Sequence, residues 1–325
     1  MTSADSSTSA DLSWLRTFNE SRSLLFSIAY RMVGSVADAE DIIQDAFIRW
    51  QQTSRTDIRS PKAFLVTIVT RLSINHLRSA RSQREQYVGQ WLPEPIVTDP
   101  GADPSGSFQS GESVSMAFLV LLERLTPVER AVFLLREVFE YEYTEIAEAI
   151  GRTEANCRQI LRRAKEHVHA ARTRFKTSDR EHRDLLAQFV QATAEGDMDG
   201  LLALLANDVV LHTDGGGKAP ALPNLIHGAT NVSRAVLGAS KKFGRLSRVM
   251  RLAQINGEPG LVTYVDGRPH SALVLHVAEG RVKGIYIVIN PAKLTHLPPP
   301  PPPSSHLSQN RTAVGLHLRE ERDEG

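Results

Sequence analysis

Apolar residues recur at steps of three and four in the first half of the chain, whereas strand-like alternation appears only towards its end. The helical spacing covers 12–31, 36–50, 61–85 and, in three shorter pieces, 126–169. Ser60 caps the third of these helices and Pro61 starts it. Helices first and strands afterwards predict a multidomain chain, in which all-α parts precede an α+β domain.

The stretch from Thr126 to His169 carries the clearest local signals. Thr126 and Glu129 form a capping box, and Pro127 occupies the first helical position, where its missing N–H is tolerated. A short second helix ends at Gly151, whose backbone freedom suits the tight turn before the third helix. A short helix, a turn and a longer helix make a helix-turn-helix, in which the second helix of the motif lies in the DNA major groove.

The last helix of this stretch has an apolar face and a basic face. Cys157 lies on the apolar stripe and is expected in the core. The segment 152–176 holds eight Arg or Lys and two Glu, although the formal net charge of the whole chain is only +1. Arg suits bidentate contacts with guanine and Asn suits adenine, so this face is a candidate DNA surface, with a solvated helix face as the alternative. The candidate residues are Asn156, Arg158, Arg162 and Arg163.

Two faces of opposite charge occur in the helices before residue 85. The helix at 36–50 turns acids outward, which suits a basic protein surface and disfavours phosphates, although a merely solvated face would look the same. The helix that begins at Pro61 carries Arg and Asn at steps of four and three along one ridge, which is a second nucleic-acid candidate. The acids are Asp38, Glu40, Asp41 and Asp45, and the ridge with its neighbour comprises Arg71, Asn75, His76, Arg78 and Arg81.

These helical blocks resemble a known family. DAEDIIQDAF, INHLRSAR and LTPVERAVFLLREVFEYEYTEIAEAIG occur here in the order of a small alternative sigma factor of the extracytoplasmic-function type. The resemblance implies a sigma region 2 domain at 12–85, which binds the clamp of core RNA polymerase through the acidic helix and the promoter element near minus ten through the Arg ridge. It also implies a sigma region 4 domain at 113–176, whose last helix binds the element near minus thirty-five.

Residues 86–112 form the expected linker between the two helical blocks. Pro, Gly, Ser and Asp are too frequent there to hold a helix. The first part of the linker differs, because Trp91 and Leu92 next to two prolines suit a stiff docking segment better than a flexible tether. This docking segment comprises Trp91, Leu92, Pro93, Glu94 and Pro95.

The pattern beyond residue 180 predicts a further domain at 180–297. Two helices, a strand ending at Asp214, a helix at 228–243 and four strands follow one another there. The AEGDMDGLLALLANDVVLHTDG stretch resembles the SnoaL-like members of the NTF2-like fold, which implies an α+β cone with a curved antiparallel sheet around a cavity. We expect no catalysis and no cofactor, because the acid and base candidates show no spacing that demands chemistry, whereas a small-molecule ligand in the cavity is left open. Those candidates are His212, Asp214, Tyr264, Asp266, His270 and His276.

Three short motifs, WLPEP at 91–95, DGGGK at 214–218 and NPAKL at 290–294, together resemble the sigma-J-type group of these sigma factors. The resemblance implies that the C-terminal domain contacts the sigma body and tunes its activity in cis. Ala292 stands where the last motif of that group usually has an acid, so that position loses its implied charge contact. The remaining implied contact residues are Asp214, Gly215, Gly216, Gly217, Lys218, Asn290, Pro291, Lys293 and Leu294.

Composition limits the other possibilities. Hydrophobic residues at 41% and charged residues at 23% are ordinary for a soluble globular protein. The one cysteine excludes intramolecular disulfides and CxxC sites, and no metal is expected. Neither a signal peptide nor an apolar run of membrane-spanning length occurs, so we expect a cytoplasmic protein with no membrane partner. The prolines and polar residues at 298–325 predict a disordered tail.

The first hypothesis is therefore an alternative sigma factor, which directs bacterial RNA polymerase core to specific promoters and is tuned by its own C-terminal domain. A ligand-gated helix-turn-helix regulator is the second, although such a protein would lack the first helical block. A SnoaL-like isomerase or cyclase fused to a DNA-binding body is the third.

Overall fold

The computed structural model describes residues 3–53, 58–85, 87–98, 114–169, 178–243 and 248–300. Several predicted features lie outside the described part: the second half of the linker from residue 99 to 112, the side chain of Arg81, the end of the second helical block at 170–176, and the tail from residue 301 onward.

The first helical block contains α1 (Ser3–Val33), α2 (Val36–Gln52) and α3 (Pro61–Glu85). The predicted start of α3 is confirmed, since the Ser60 hydroxyl accepts a hydrogen bond from the Ala63 N–H at 3.4 Å. Trp14 of α1 stacks on Trp50 of α2 with ring centroids 3.5 Å apart. Each indole N–H also donates to the backbone carbonyl of the other tryptophan at 3.1 Å, which joins the two helices without an unpaired donor.

The second helical block contains α4 (Met116–Leu122), α5 (Pro127–Glu137), α6 (Tyr143–Ile150) and α7 (Glu154–His169). The predicted capping box of α5 is present, with Thr126 and Glu129 bonded in both directions. Gly151 adopts the left-handed conformation at φ 68°, as the tight turn between α6 and α7 requires. Thr153 caps α7, and Cys157 is fully buried on its inner face.

The two helical blocks share one continuous hydrophobic core. Buried side chains from α1, α2 and α3 belong to the same cluster as those from α5, α6 and α7. Typical members are Leu25, Trp50 and Leu65 from the first block and Leu134 and Ile160 from the second. The two blocks are therefore packed directly against each other in this structure.

The C-terminal part combines helices with a sheet, in agreement with the predicted α+β class. Its helices are α8 (Asp179–Glu195), α9 (Met198–Leu204) and α10 (Ala229–Phe243), and a 3-10 turn covers Pro291–Lys293. Its strands are β2 (Leu205–Asp214), β3 (Ile226–His227), β4 (Arg248–Ile255), β5 (Glu258–Val265), β6 (Arg268–Ala278) and β7 (Arg281–Val288).

The linker contributes a further strand, β1 (Val97–Thr98), to this sheet. The strand order is β1-β4-β5-β6-β7-β2-β3. The predicted antiparallel sheet has one exception, because β2 and β7 pair in parallel. The reason is the crossover through α10, which carries the chain from β2 to the far side of the sheet before the β4–β7 meander returns.

Each face of the sheet has its own covering layer. One face packs against α8, α9 and α10 through residues such as Leu186, Val209 and Ile285. The opposite face packs against Leu92 of the linker and Met116 of α4. The C-terminal sheet is thus sandwiched between its own helices on one side and the helical half of the chain on the other.

Candidate nucleic-acid interface and interdomain junction

The predicted DNA face of α7 points into solvent. Arg158, Arg162 and Arg163 are exposed, whereas Asn156 is partly covered. Arg162 forms only a loose pair with Glu166 one turn away, at 3.6 Å and with high exposure, which binds its guanidinium weakly. The α7 surface is therefore positively charged and accessible.

Arg158 differs from the other arginines of α7 because it is held against the preceding helix. Its guanidinium pairs with Glu154 at 2.9 Å and lies 4.6 Å from the ring centroid of Tyr143 on α6. Arg136 of α5 lies 5.0 Å from the same ring. Two cations on one aromatic ring tie three helices together, so Arg158 orients α7 in addition to carrying charge.

The Arg ridge of α3 is only partly free. Asn75 and Arg78 are exposed, and His76 pairs with Asp38 of α2 at 3.5 Å. Arg71 instead donates from Nε to the Ala149 carbonyl at 2.8 Å and from Nη2 to the Glu148 carbonyl at 2.7 Å. The structure thus directs this predicted DNA residue to the C-terminal end of α6.

The acidic face of α2 lies as expected on the outside of the first block. Asp41 and Asp45 are exposed, while Glu40 is paired with Arg22 of α1 at 2.6 Å. The buried positions of α2 include Ile42 and Trp50, as the helical pattern predicts. Asp41 and Asp45 of the predicted polymerase surface are therefore accessible, whereas Asp38 and Glu40 are paired with residues of α3 and α1.

The three motifs at 91–95, 214–218 and 290–294 meet in one place, which we call the junction. Asp214, at the end of β2, is fully buried there. Its Oδ2 accepts a hydrogen bond from the Leu92 N–H at 2.9 Å and pairs with Lys293 Nζ at 2.7 Å. One carboxylate therefore binds the linker and the C-terminal motif at the same time.

Lys293 is the second centre of the junction. Its ammonium group also donates to the Leu92 carbonyl and lies 4.1 Å from the ring centroid of Trp91. Ion pair, backbone hydrogen bond and cation–π contact thus satisfy a lysine whose side chain is only 11% exposed. Leu294 beside it is buried in the same apolar cluster as Leu92.

Tyr87 is a junction residue that the sequence motifs do not contain. Its hydroxyl donates to Asp214 Oδ1 at 2.6 Å and accepts from Asn290 Nδ2 at 2.8 Å. Burial, followed by the hydrogen bond to the Asp214 carboxylate, raises the pKa of this phenol. Gly216 is required beside it, because a Cβ at that position would lie 2.9 Å from the Tyr87 hydroxyl and 2.2 Å from Asn290.

Not every residue of the glycine motif takes part in the junction. Gly215 starts a turn in which its carbonyl accepts from the Lys218 N–H at 2.9 Å. Gly217 approaches Val88, whose Cβ would lie 3.1 Å from an added Cβ. The Lys218 side chain is exposed. The motif therefore supplies one carboxylate and close backbone approaches, while its lysine faces solvent.

The other end of the docking segment is fixed to the first helical block. The Glu94 N–H donates to the Gly34 carbonyl at 2.8 Å, and Glu94 Oε2 accepts from the Val36 N–H at 2.7 Å. The hydroxyl of Tyr30 donates to the Glu94 carbonyl at 2.7 Å. Glu94 thereby serves as the acceptor for an N–H at the start of α2, and Pro93 and Pro95 on either side of it are buried.

The same segment is held from the C-terminal side by His296 and Asn256. His296 Nδ1 lies 2.9 Å from Glu94 Oε1, and its Nε2 lies 2.8 Å from the Pro95 carbonyl. Burial alone would raise the pKa of Glu94, but the hydrogen bonds from His296 and from the Val36 N–H lower it. Burial opposes protonation of His296, and the contact with Glu94 nevertheless raises its pKa. Asn256 Nδ2 donates to the Tyr30 hydroxyl at 2.6 Å. Because the Tyr30 hydroxyl in turn donates to the Glu94 carbonyl, these bonds join the C-terminal domain, the first helical block and the linker.

The acid and base candidates of the C-terminal domain do not form one cluster. Asp214 belongs to the junction, and the Tyr264 hydroxyl donates to the Pro298 carbonyl at 2.9 Å. His212 stacks on Tyr286 with centroids 4.7 Å apart, and burial lowers its pKa to about 4. Burial also lowers the pKa of His276 to about 4. Within the described ranges, no group of three His, Cys, Asp or Glu could hold a metal ion.

The comparisons with known proteins match both helical blocks. The family described as Sigma-70 region 2 matches residues 17–83, and Sigma-70, region 4 matches residues 115–168. The ECF RNA polymerase sigma factor SigJ of Mycobacterium tuberculosis is 38% identical over 291 residues, covering 86% of this chain and 93% of the relative. The ECF RNA polymerase sigma factor SigG of the same species is 30% identical and covers 78% and 74%, respectively.

A solved structure extends the similarity to the whole fold. The crystal structure of M. tuberculosis extracytoplasmic function sigma factor SigJ matches with a TM-score of 0.70 and 34% identity. The match covers 86% of this chain and 98% of the solved one, so it includes the C-terminal domain. Among the described residues, no helix is both long and apolar enough to cross a membrane.

Proposed function

This chain belongs to the extracytoplasmic-function RNA polymerase sigma factors, and we propose that its C-terminal domain controls sigma activity in cis through the junction. As a sigma factor of this family, it binds RNA polymerase core and promoter DNA and directs transcription initiation. The single observation that carries the proposal is the buried carboxylate of Asp214, which binds the linker and Lys293 together.

We infer that the exposed acids of α2 contact the polymerase clamp. Asp41 and Asp45 are accessible without any rearrangement, whereas Glu40 must first leave Arg22. For DNA, Asn75, His76, Arg78 and Arg81 of α3 serve the element near minus ten. On α7, Arg162 and Arg163 are placed to contact the element near minus thirty-five, with Asn156 and Arg158 at the edge of that surface.

The junction supports control in cis because the linker is the covalent connection between region 2 and region 4. The segment from Tyr87 to Thr98 is bonded to the first block through Glu94 and to the C-terminal domain through Asp214, His296 and β1. As long as both attachments hold, this segment ties region 2 to the C-terminal domain, which also packs on Met116 of region 4. Release of the C-terminal attachment would free the linker to lengthen.

The other hypotheses receive less support. A ligand-gated regulator would not carry the region 2 block, which matches its family model over residues 17–83. Met116 and Ala117 of α4 pack on one face of the C-terminal sheet, so a ligand that bound on that face would have to displace α4. Asp214, Tyr264 and His212 are engaged in structural contacts, which favours a role in assembly over catalysis.

Run-off transcription tests the proposal. Core polymerase, genomic fragments and the full chain are combined, and the transcripts are sequenced. Because the genomic fragments contain the cognate promoters, these need not be known in advance. We expect defined start sites that depend on the full chain. A version that ends between residues 170 and 177 should use the same start sites at a different level, whereas equal levels would remove control in cis and leave the sigma assignment intact.

A further inference from the structure

We infer that two arginines lock region 2 and region 4 together reciprocally, and that Arg71 alternates between the C-terminal end of α6 and promoter DNA. Arg71 comes from region 2 and binds the last carbonyls of a region 4 helix. Arg130 comes from region 4 and binds the end of a region 2 helix: its Nη1 donates to the Met32 carbonyl at 2.5 Å, one residue before α1 ends. We call this pair the arginine lock.

Both acceptors are of the same chemical kind. The last carbonyls of an α-helix lack intrahelical partners, and the negative end of the helix dipole adds to their attraction for a cation. A guanidinium group offers several N–H donors in a rigid fork, so Arg71 can bond the Glu148 and Ala149 carbonyls at once. Each region therefore satisfies the open helix end of the other.

The two arginines differ in burial, and the difference assigns their roles. Arg130 is only 3% exposed and is also paired with Glu123 at 2.8 Å, so it is a fixed part of the interface. Arg71 is exposed and donates to two backbone carbonyls. Since Arg71 has no ion pair with a carboxylate in the part of the chain that the structure describes, a phosphate or base can compete for Arg71 more readily than for Arg130.

The closed arrangement is incompatible with simultaneous contact at both promoter elements. Elements near minus ten and minus thirty-five are about 25 base pairs apart, which is on the order of 80 Å of duplex at 3.4 Å per base pair. Arg71 Nε and the Ala149 carbonyl of the helix-turn-helix are 2.8 Å apart in this structure. Region 2 and region 4 must therefore separate before both elements are occupied, and separation frees Arg71 on the ridge that faces DNA.

This lock is distinct from the junction, since its residues lie within the two helical blocks and make none of the contacts of Asp214 or Lys293. Arg31 adds a contact between the same blocks, with its guanidinium 5.1 Å from the ring centroid of Phe139 after α5. The junction and the arginine lock can consequently open independently of each other, and separate variants test each of them.

Energy transfer within the full chain measures the lock directly. Dyes are placed at Gln52→Cys and Glu166→Cys, which are exposed sites on α2 and α7, while the native Cys157 is fully buried and stays unlabelled. We expect high transfer in the free chain and low transfer after core polymerase and promoter DNA are added. Arg71→Lys should lower the ratio of closed to open chains about tenfold, because an ammonium group cannot reproduce the two-carbonyl fork.

Arg130→Met should shift the ratio in the same direction, and Lys62→Ala, an exposed cation on α3, should leave it unchanged. Arg71 is exposed, so Arg71→Lys preserves folding even if the buried Arg130 variant does not. Transfer equal to that of the unsubstituted chain in Arg71→Lys would overturn the lock.

Holoenzyme binding to promoter DNA tests the second half of the inference. Arg71→Lys keeps a cation for phosphate and should bind at least as tightly as the unsubstituted protein. Arg71→Ala should bind several-fold more weakly and show a salt dependence reduced by about one phosphate contact. Identical salt slopes for the two variants would show that Arg71 does not exchange to DNA and would overturn the alternation.

Discussion

From the contacts of the junction we predict the change in the free energy of unfolding that Lys293→Met causes. The substitution keeps the length and apolar volume of the side chain but removes the charge beside Asp214. That carboxylate is fully buried and stays so, which leaves it without its cation. Removing one partner of a buried pair typically costs about 3–5 kcal/mol. Because Asp214 keeps the donors of Tyr87 and Leu92, we expect the lower end, about 3 kcal/mol of the free energy of unfolding.

Urea unfolding followed by tryptophan fluorescence measures this cost, since Trp91 lies against the Lys293 ammonium group. Lys218→Met is the matched control, because it removes an exposed lysine and should change stability by less than about 0.5 kcal/mol. The double variant with Asp214→Asn should cost clearly less than the sum of the two single changes, as expected for partners in contact. A Lys293→Met cost equal to that of the control, or strictly additive costs, would refute the reasoning.

Two further predictions concern the linker. Gly34→Ala places a Cβ 2.5 Å from the Trp91 ring at φ 71° and should cost about 2 kcal/mol, whereas Gly89→Ala at φ 85° has open space and should cost about 1 kcal/mol in thermal or urea unfolding. The pair of Glu94 and His296 stabilises the fold most between the ordinary pKa values of 4.5 and 6.5. Its contribution falls at higher pH as His296 passes its raised pKa, and at lower pH as Glu94 passes its lowered pKa. A His296→Gln chain should lack the slope at higher pH in a series of unfolding midpoints against pH, whereas the slope at lower pH should shrink but not vanish, because the Val36 N–H still binds Glu94. An unchanged slope at higher pH would assign that slope to another group.

Local chemistry explains why the helical half could be predicted well. The capping box of Thr126 and Glu129, the Pro127 start and the left-handed Gly151 each act within four residues, so their signals are complete in the sequence. The buried stripe of α7, with Cys157 in it, follows from helical periodicity alone.

The contacts of the candidate site could not be predicted in the same way. Tyr87 and His296 are single polar residues in irregular segments, and only the folded chain brings them to Asp214 and Glu94. Arg71 belongs to the predicted ridge, but its acceptors are backbone carbonyls, which carry no sequence signal. The parallel pairing of β2 with β7 depends on the crossover through α10, which strand periodicity does not encode.

The most direct test of the central claim is run-off transcription with core polymerase and the full chain carrying Lys293→Met, with Lys218→Met beside it. Control in cis through the junction predicts the same start sites for all proteins and a several-fold change in transcript amount for Lys293→Met alone. Equal transcript amounts from both variants and the unsubstituted chain, at equal folded concentration, would contradict the claim that the junction regulates this sigma factor.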